Sequence, residues 1–306
     1  MTRLTVFTPT YNRAYILSKL YESLCVQTCQ DFEWLIVDDG STDNTKELVD
    51  EWIGESRIAI RYVYQENGGK MRAFNKAVSL ADSELFVCVD SDDQLTTDHV
   101  VDESLAYWDE HKNEVLNKPI AGMVSLKLIK QRTKEIPEKL THGSLHQICT
   151  NYQGETTIFL VTNILRNYPY PTFEGENFIT DVYIYDQIDE DYCFLFHPYY
   201  SQICEYHDDG YTNSYRRLLF RNPRGYREYH AQRLRLKKSG MAKSMICYIA
   251  LSLFIHDHTM FSKSPNKWMT IMLFPLGILK FFYDKYRLSH RNKVKCQQSK
   301  KEDQNS

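Results

Sequence analysis

The chain has 306 residues, 42% of them apolar and 25% charged, with a formal net charge of −3. That length holds one large α/β domain with appendages or two ordinary domains. The composition is close to the soluble globular average, and the small negative charge argues against a general polyanion binder. Eight cysteines (25, 29, 88, 149, 193, 204, 247 and 296) show no metal-type pairing. MTRLTVFTPTYNR enters a strand at once, with no basic segment ahead of an apolar stretch and cleavage site, so a reducing, cytoplasmic setting is expected.

Residues 4–8 (LTVFT) read as a short buried strand stopped by Pro9, and 14–28 carry Ile16, Leu17, Leu20 and Leu24 at helical spacing. FEWLIVDDGS (32–41) is a second strand running into two acids and Gly40, and Ser41 or Asp43 can cap a helix over 44–53. IAIRYVYQ (58–65) predicts a third strand, NGGK a Gly-rich turn, 71–81 a helix, and ELFVCVDSDD (84–93) a strand that ends in acids. Such alternation implies a mostly parallel, Rossmann-like sheet with right-handed crossovers and flanking helices. Ligands bind such sheets beyond the carboxyl ends of the strands. TPTYNR, DDGSTDNT and DSDD would therefore meet at one crevice.

Further along, 98–113 reads as a helix, 121–129 (AGMVSLKLI) as a strand followed by a polar loop, and 156–166 as another strand. The Pro/Gly/aromatic segment 168–181 breaks regular structure and leads into a helix over 181–188. From 216 the chain turns basic, with Arg216, Arg217, Arg221, Arg224, Arg227, Arg233 and Arg235, and reads as helices to about 258. The expected division is a sheet-bearing domain over 1–215, with halves 1–97 and 98–215, a helical C-terminal extension over 216–286 and a disordered charged tail over 287–306.

Asp90 and Asp92 stand two residues apart where a buried strand frays, so both carboxylates can face one ion. Mg²⁺ or Mn²⁺ prefers such hard oxygen ligands and shares its remaining positions with diphosphate and water. In isolation, a solvated acidic turn or a helix cap has the same letters. Asp38 and Asp39 end the second strand, where a carboxylate can accept a hydrogen bond from a base or ribose, or simply cap the next helix. Tyr11 can stack on a base or be an ordinary aromatic. Lys70, after Gly68-Gly69, can approach phosphate or be solvated.

TPTYNR at 8–13, VDDGSTDNT at 37–45, ENGGKMRAFNKA at 66–77 and VDSDD at 89–93 resemble, in order and spacing, the successive motifs of the family 2 glycosyltransferases of the GT-A fold. The resemblance is firm over the first 100 residues and weaker to about 215. It implies inverting transfer from a nucleoside-diphosphate sugar, with a UDP-sugar preferred, and dependence on Mn²⁺ or Mg²⁺. The nucleotide-sugar-binding residues would be Thr8, Pro9, Tyr11, Arg13, Asp38, Asp39, Asn67, Lys70, Asp90 and Ser91. The metal would sit on Asp90 and Asp92, with His207 as a further ligand, since some GT-A enzymes add a C-terminal histidine. FEGENFITDVYIYDQI resembles the segment that carries the general base. Its matching position is Asp181, with Glu174, Glu176 and Asp186 as rivals; many relatives carry Glu there, and this chain has the shorter Asp.

Family analogy makes bacterial surface-glycan synthesis the setting, with a glycan or lipid-linked glycan as acceptor. The Q-x-x-R-W signature of processive synthases is absent, which argues for addition of a single sugar. A nucleotidyltransferase shares the sheet and acid-bound Mg²⁺, but it needs a Gly-rich basic loop after the first strand, and TPTYNR is not one. A non-catalytic sugar-nucleotide or glycan-binding protein is the other alternative. A nucleic-acid partner draws only on the basic run 216–243 and lacks a recognisable module. Residues 268–283 are apolar but interrupted by Pro275, Gly277 and Lys280. This stretch is too short to span a bilayer. With the basic residues after it, it would hold the chain on the anionic inner face of the plasma membrane, or else pack on the catalytic domain.

Overall fold

The computed structural model of the chain describes residues 2–129, 134–204 and 218–302, with side chains to 288. Two compact units divide at Tyr215/Arg216. In the first, β1 (Leu4–Thr10), α1 (Ala14–Cys25), β2 (Phe32–Asp38), α2 (Thr45–Glu55), β3 (Ile60–Tyr64), α3 (Lys70–Leu80) and β4 (Leu85–Cys88) alternate as the sequence predicts. There follow β5 (Gln94–Leu95), α4 (Val100–His111), β6 (Ile120–Ile129), β7 (His142–Gly143), α5 (Leu145–Tyr152), β8 (Thr156–Val161), α6 (Thr162–Leu165), α7 (Val182–Asp191) and β9 (Cys193–Cys204). The strands form one sheet in the order β3-β2-β1-β4-β8-β6-β9-β5, with β7 on β9.

The half of the sheet that carries the motifs, β3-β2-β1-β4, is parallel throughout. Beyond β4 it becomes mixed: β8 runs antiparallel to β4 and β6, and β9 parallel to β6. The register places Thr10 beside Asp38 and Asp38 beside Tyr64, so the carboxyl ends of β1, β2 and β3 finish at one level. Both faces of β1 and β2 are largely apolar because both are covered, whereas β3 is the half-exposed edge strand. Leu4, Val6, Trp34 and Ile36 join Leu17, Leu20, Val49 and Val100 in the core on one face. There the rings of Tyr21 and Trp52 stack with centroids 4.3 Å apart. On the other face Phe7 and Phe86 pack against Phe74 of α3. Burial of each such side chain contributes about 1.5–3 kcal/mol, so the strand ends rest on a rigid base.

Of the elements not foreseen, α5 and β9 are the two longest. The predicted polar loop contains α5, whose start is a capping box: Ser144 Oγ accepts from Gln147 N at 3.1 Å, and Ser144 N donates to Gln147 Oε1 at 2.9 Å. Asp189 of α7 completes the cap by accepting from Leu145 N and His146 N. The second element, β9, contains Pro198 inside an aromatic run. Its register against β6 shifts between Val124/Phe196 and Leu126/Tyr200, so the proline occupies a bulge, where its missing N–H costs no ladder hydrogen bond. The strand signals at 156–166 resolve into β8 and then α6.

The second unit contains α8 (Pro223–Arg235), α9 (Met241–Phe254) and α10 (Lys267–Glu302). Its core gathers Ala231, Leu234, Met245, Tyr248, Ile249 and Met260. Arg227, one of the basic run, is a structural node: Nε donates to Ser252 Oγ at 2.7 Å, Nη2 to the Tyr248 hydroxyl at 3.0 Å, and the same nitrogen pairs with Asp257. The segment from 287, expected as a charged tail, carries the C-terminal part of α10, which runs to Glu302. Apart from Pro275 at its ninth position, the helix meets no breaker residue after Gly277. No helix among the described residues is long and apolar enough to cross a membrane.

Candidate active site

The predicted residues after β1, β2 and β3 interlock. Asn12 takes a positive φ of 53°; its N donates to Ser41 Oγ at 2.8 Å and its Oδ1 accepts from Thr42 N at 2.7 Å. Thr8, buried within β1, accepts from Trp34 Nε1. Pro9 also lies within β1, Tyr11 is half exposed beyond it, and Arg13 precedes α1 and donates to the Tyr15 hydroxyl. Asp43, expected as a cap, accepts from Thr45 N and Oγ1.

Asp38 and Asp39 are both buried and both engaged. Asp38 accepts from Ser41 N and from the Tyr62 hydroxyl. Asp39 accepts from Gly68 N at 2.9 Å, Gly69 N at 2.7 Å and Gln65 Nε2 at 2.7 Å, and Asn67 Nδ2 donates to its carbonyl. The second carboxylate therefore clamps the NGGK turn. Gly69 is required there twice over: its φ is +92°, and a Cβ would lie 1.8 Å from the carbonyl oxygen of Asn177. Gly69→Ala should cost at least about 2 kcal/mol, lower Tm, and displace the 168–181 segment; an unchanged melting curve would show that the two segments do not pack there.

Past the turn, α3 acts as a bracket. Lys70 Nζ pairs with Asp90 Oδ1 at 2.6 Å. Arg72 Nη2 donates to the Phe173 carbonyl at 2.8 Å, and Asn75 makes paired hydrogen bonds with the backbone of Tyr170. The ENGGKMRAFNKA motif thus joins the end of β2, the acids after β4 and the irregular segment that leads into α7.

The D-S-D-D turn is held by Asp93 N donating to the Asp90 carbonyl at 3.0 Å, with Ser91 buried inside it. Asp93, 3% exposed, pairs with Lys127 Nζ of β6 at 2.7 Å. Removing one partner of such a buried pair costs about 3–5 kcal/mol. Burial opposes ionisation of Asp90, but Lys70 and Lys127 outweigh it and hold its carboxyl below the usual range. Asp92 is pushed upward, first by burial and then by repulsion from Asp90 and Asp93. Burial opposes protonation of Lys70, yet Asp90, Cys88 and Asp181 keep its ammonium well above the usual value. The Cys88 thiol is pushed up to about 12 by burial and by Asp90.

A cleft of about 380 Å³ opens beyond the sheet. Its walls bring together Lys70, Asp90 and Asp181, with Lys127, Tyr185 and Asp186. Asp181 is the exposed N-cap of α7, and its Oδ1 accepts from Val182 N at 2.9 Å. The Tyr170 hydroxyl, buried beside Phe74, donates to the Asp181 carbonyl at 3.1 Å and fixes this turn. Glu174 and Glu176 are not among the cleft's lining residues, nor is Asp92. Asp189 lines it, but both its oxygens serve α5. His207 lies outside the described residues.

Lys127, Arg72, Asn75, Tyr170 and Tyr185 were not singled out from the sequence. Lys127 had a signal, as the one charge in the apolar run AGMVSLKLI. The others are read only from contacts made about 100 positions away in the chain.

Among the described residues no group of three or more His, Cys, Asp or Glu is arranged to enclose a metal. The donor chemistry nonetheless fits a divalent cation shared with a ligand. Asp90, Asp92 and Asp93 crowd three carboxylates into four residues, and a hard cation would offset both the burial and the like charge that push Asp92 upward. Asp90 and Asp92 would hold it, while Asp93 is committed to Lys127.

Residues 5–162 match the family model described as glycosyl transferase family 2. The chain belongs to that family. It is 29% identical over 143 residues to the poly(ribitol-phosphate) β-N-acetylglucosaminyltransferase TarS of Staphylococcus aureus (strain Mu50), covering 46% of this chain and 25% of TarS. It is 40% identical over 91 residues to the glycosyltransferase GlyG of Streptococcus pneumoniae serotype 4, covering 29% of this chain and 30% of GlyG. The chain thus spans about a quarter to a third of these curated relatives. The crystal structure of S. aureus TarS 1–349 in complex with UDP-GlcNAc superposes with a TM-score of 0.60 at 20% identity, over 86% of this chain and 74% of that one. The mannosyltransferase PcManGT from Pyrobaculum calidifontis, in complex with GDP-Man and Mn²⁺, gives 0.55 at 18% identity, over 92% and 88%. These two likenesses show the GT-A fold.

Proposed function

We propose that this chain is an inverting glycosyltransferase that moves a sugar from a nucleoside-diphosphate sugar, a UDP-sugar by preference, to a hydroxyl of a surface glycan or lipid-linked glycan. The observation that carries this reading is the meeting of Lys70, Asp90 and Asp181 on the walls of one cleft beyond the strand ends. The 1–97 half binds the donor and the 98–215 half the acceptor. The nucleoside end lies at Asp38 and Asp39, with Thr8, Pro9, Tyr11 and Arg13 beside them and Asn67 and Ser91 completing the donor set. Lys70 keeps a fixed positive charge next to Asp90, oriented by α3 rather than by solvent. Bound at Asp90 and Asp92, with His207 as a further ligand, Mn²⁺ or Mg²⁺ would neutralise charge developing on the departing diphosphate. Asp181 takes the proton of the acceptor hydroxyl as that oxygen attacks the anomeric carbon from the opposite face. One displacement inverts the centre. The TarS and PcManGT complexes, with UDP-GlcNAc and with GDP-Man and Mn²⁺, support a nucleotide-sugar donor. Such donors are cytoplasmic metabolites, so the reading carries a cytoplasmic setting with it.

The test is release of nucleotide from a panel that includes UDP-GlcNAc, UDP-glucose, UDP-galactose and GDP-mannose, with Mn²⁺, with Mg²⁺ and with EDTA. Turnover of a UDP-sugar that EDTA abolishes and Mn²⁺ restores is expected. Donor binding by calorimetry with no release, across a panel of glycan acceptors, would instead identify a non-catalytic sugar-nucleotide-binding protein. Turnover of GDP-mannose alone would correct the donor.

A further inference from the structure

The helix α10 carries two apolar faces, one packed and one exposed to solvent. On the packed side, Thr270 is fully buried and its hydroxyl lies 3.2 Å from Met245 Sδ of α9. Gly277 lets the same side close on Ile249, since a Cβ there would lie 2.3 Å from that side chain. About half a helical turn away lies a second stripe: Trp268, Met272, Leu276, Leu279, Phe282 and Tyr286. At 100° per residue these six fall within an arc of about 120° and run about 27 Å along the axis. They are exposed, Trp268 and Met272 to 79% and 77% and Leu279 to 65%. A continuous apolar stripe of this length is rare on a soluble monomer and marks a surface made to be covered.

Charge identifies the cover. Residues 267–302 contain nine Lys or Arg and two acids, a net of +7, in a chain whose overall charge is −3. Around the helix wheel Lys267 and Lys285 fall on one side of the stripe, roughly a third of a turn from its centre, and Lys280 and Arg287 on the other, roughly a quarter turn from it. Lys280 is paired with Asp284 at 2.7 Å. Long basic side chains at the margins of an apolar face, with Trp and Tyr inside it, are the pattern of a helix that lies in a lipid interface. A second copy of the chain would bring two helices of +7 together, which disfavours self-association on this face. The helix is also not apolar enough to span a bilayer.

We infer that α10 docks parallel to an anionic lipid surface through the Trp268–Tyr286 stripe, with the basic residues contacting the headgroups. The inference does not depend on the transferase reading. It is tested with the full-length chain and vesicles of phosphatidylcholine, with and without 30 mol% phosphatidylglycerol, by co-sedimentation at low and high salt. Binding is expected to the anionic vesicles, weakened by salt. The double variant Leu279→Glu/Phe282→Glu should reduce it at least tenfold, while Ile53→Glu, an exposed apolar position in the first unit, leaves it unchanged. Helicity and Tm equal to the wild type would show that the double variant is folded; if it is not, Trp268→Ser/Met272→Ser takes its place. Equal binding to both vesicle types, or undiminished binding by the folded variants, would overturn the inference. So would a wild-type dimer in light scattering that these variants make monomeric, because the stripe would then belong to a second copy.

Discussion

Asp181→Asn should leave donor binding and thermal stability nearly unchanged while transfer falls by roughly 10²–10⁴. Asn retains the shape of the side chain and remains a good N-cap, so the hydrogen bond now made with Val182 N has a replacement. What it loses is the ability to take a proton. Exclusion of the other acids supports this role as much as position does. On the cleft walls Asp90 is committed to Lys70 and to the proposed metal, and both oxygens of Asp189 serve Leu145 and His146. Glu174 and Glu176 line no part of the cleft, whereas Asp186 does and is nearly buried. Asp181 and Glu155 are the exposed carboxylates there, and of the two Asp181 is carried on the N-cap of a helix whose approach Tyr170, Arg72 and Asn75 hold in place. The measurement is donor-saturated transfer in single-site variants. Near-normal turnover in Asp181→Asn, with Asp186→Asn inactive, would move the role one turn along α7.

Asp92→Asn, and to a similar degree Asp90→Asn, should lower metal-stimulated transfer roughly a hundredfold or more, the scale set by several kcal/mol of Lewis-acid stabilisation. The two variants should differ in stability. In Asp92→Asn the repulsion from Asp90 and Asp93 disappears, so Tm should hold or rise. Asp90→Asn strands the Lys70 ammonium, whose pairing now offsets its burial, and Tm should fall. Activity that persists undiminished in Asp92→Asn, still stimulated by Mn²⁺, would remove the metal from this position.

The elements that could be read without a structure share one property: their signals are local. LTVFT, FEWLIVD and LFVC are apolar runs that only strands buried on both faces tolerate, and each ends in polar letters that cannot continue inward. The first four motifs therefore located the strand ends, and with them Asp38, Asp39, Lys70 and Asp90. Two misses were legible in principle. Ser144-x-x-Gln147 is a capping box four residues long, and Lys127 is a charge inside a strand. Pro198 concealed β9 because a proline argues against an interior strand unless the partner register shows a bulge.

By itself the sequence determined the alternation of strands and helices, the side of the sheet where ligands bind, and the residue types gathered there, because periodicity and turn chemistry act over a few neighbouring positions. Tertiary structure alone decided which of those residues are occupied and by whom. Asp39 holds Gly68 and Gly69, Lys70 holds Asp90, Lys127 holds Asp93, and Arg72 and Asn75 fix the approach to Asp181. It also separated the two apolar faces of α10, one packed on α9 and one exposed. A carboxylate's role depends on which cation or N–H comes within about 3 Å of it. That distance is set by chain crossings of 20 to 100 residues, on which local propensity has no purchase.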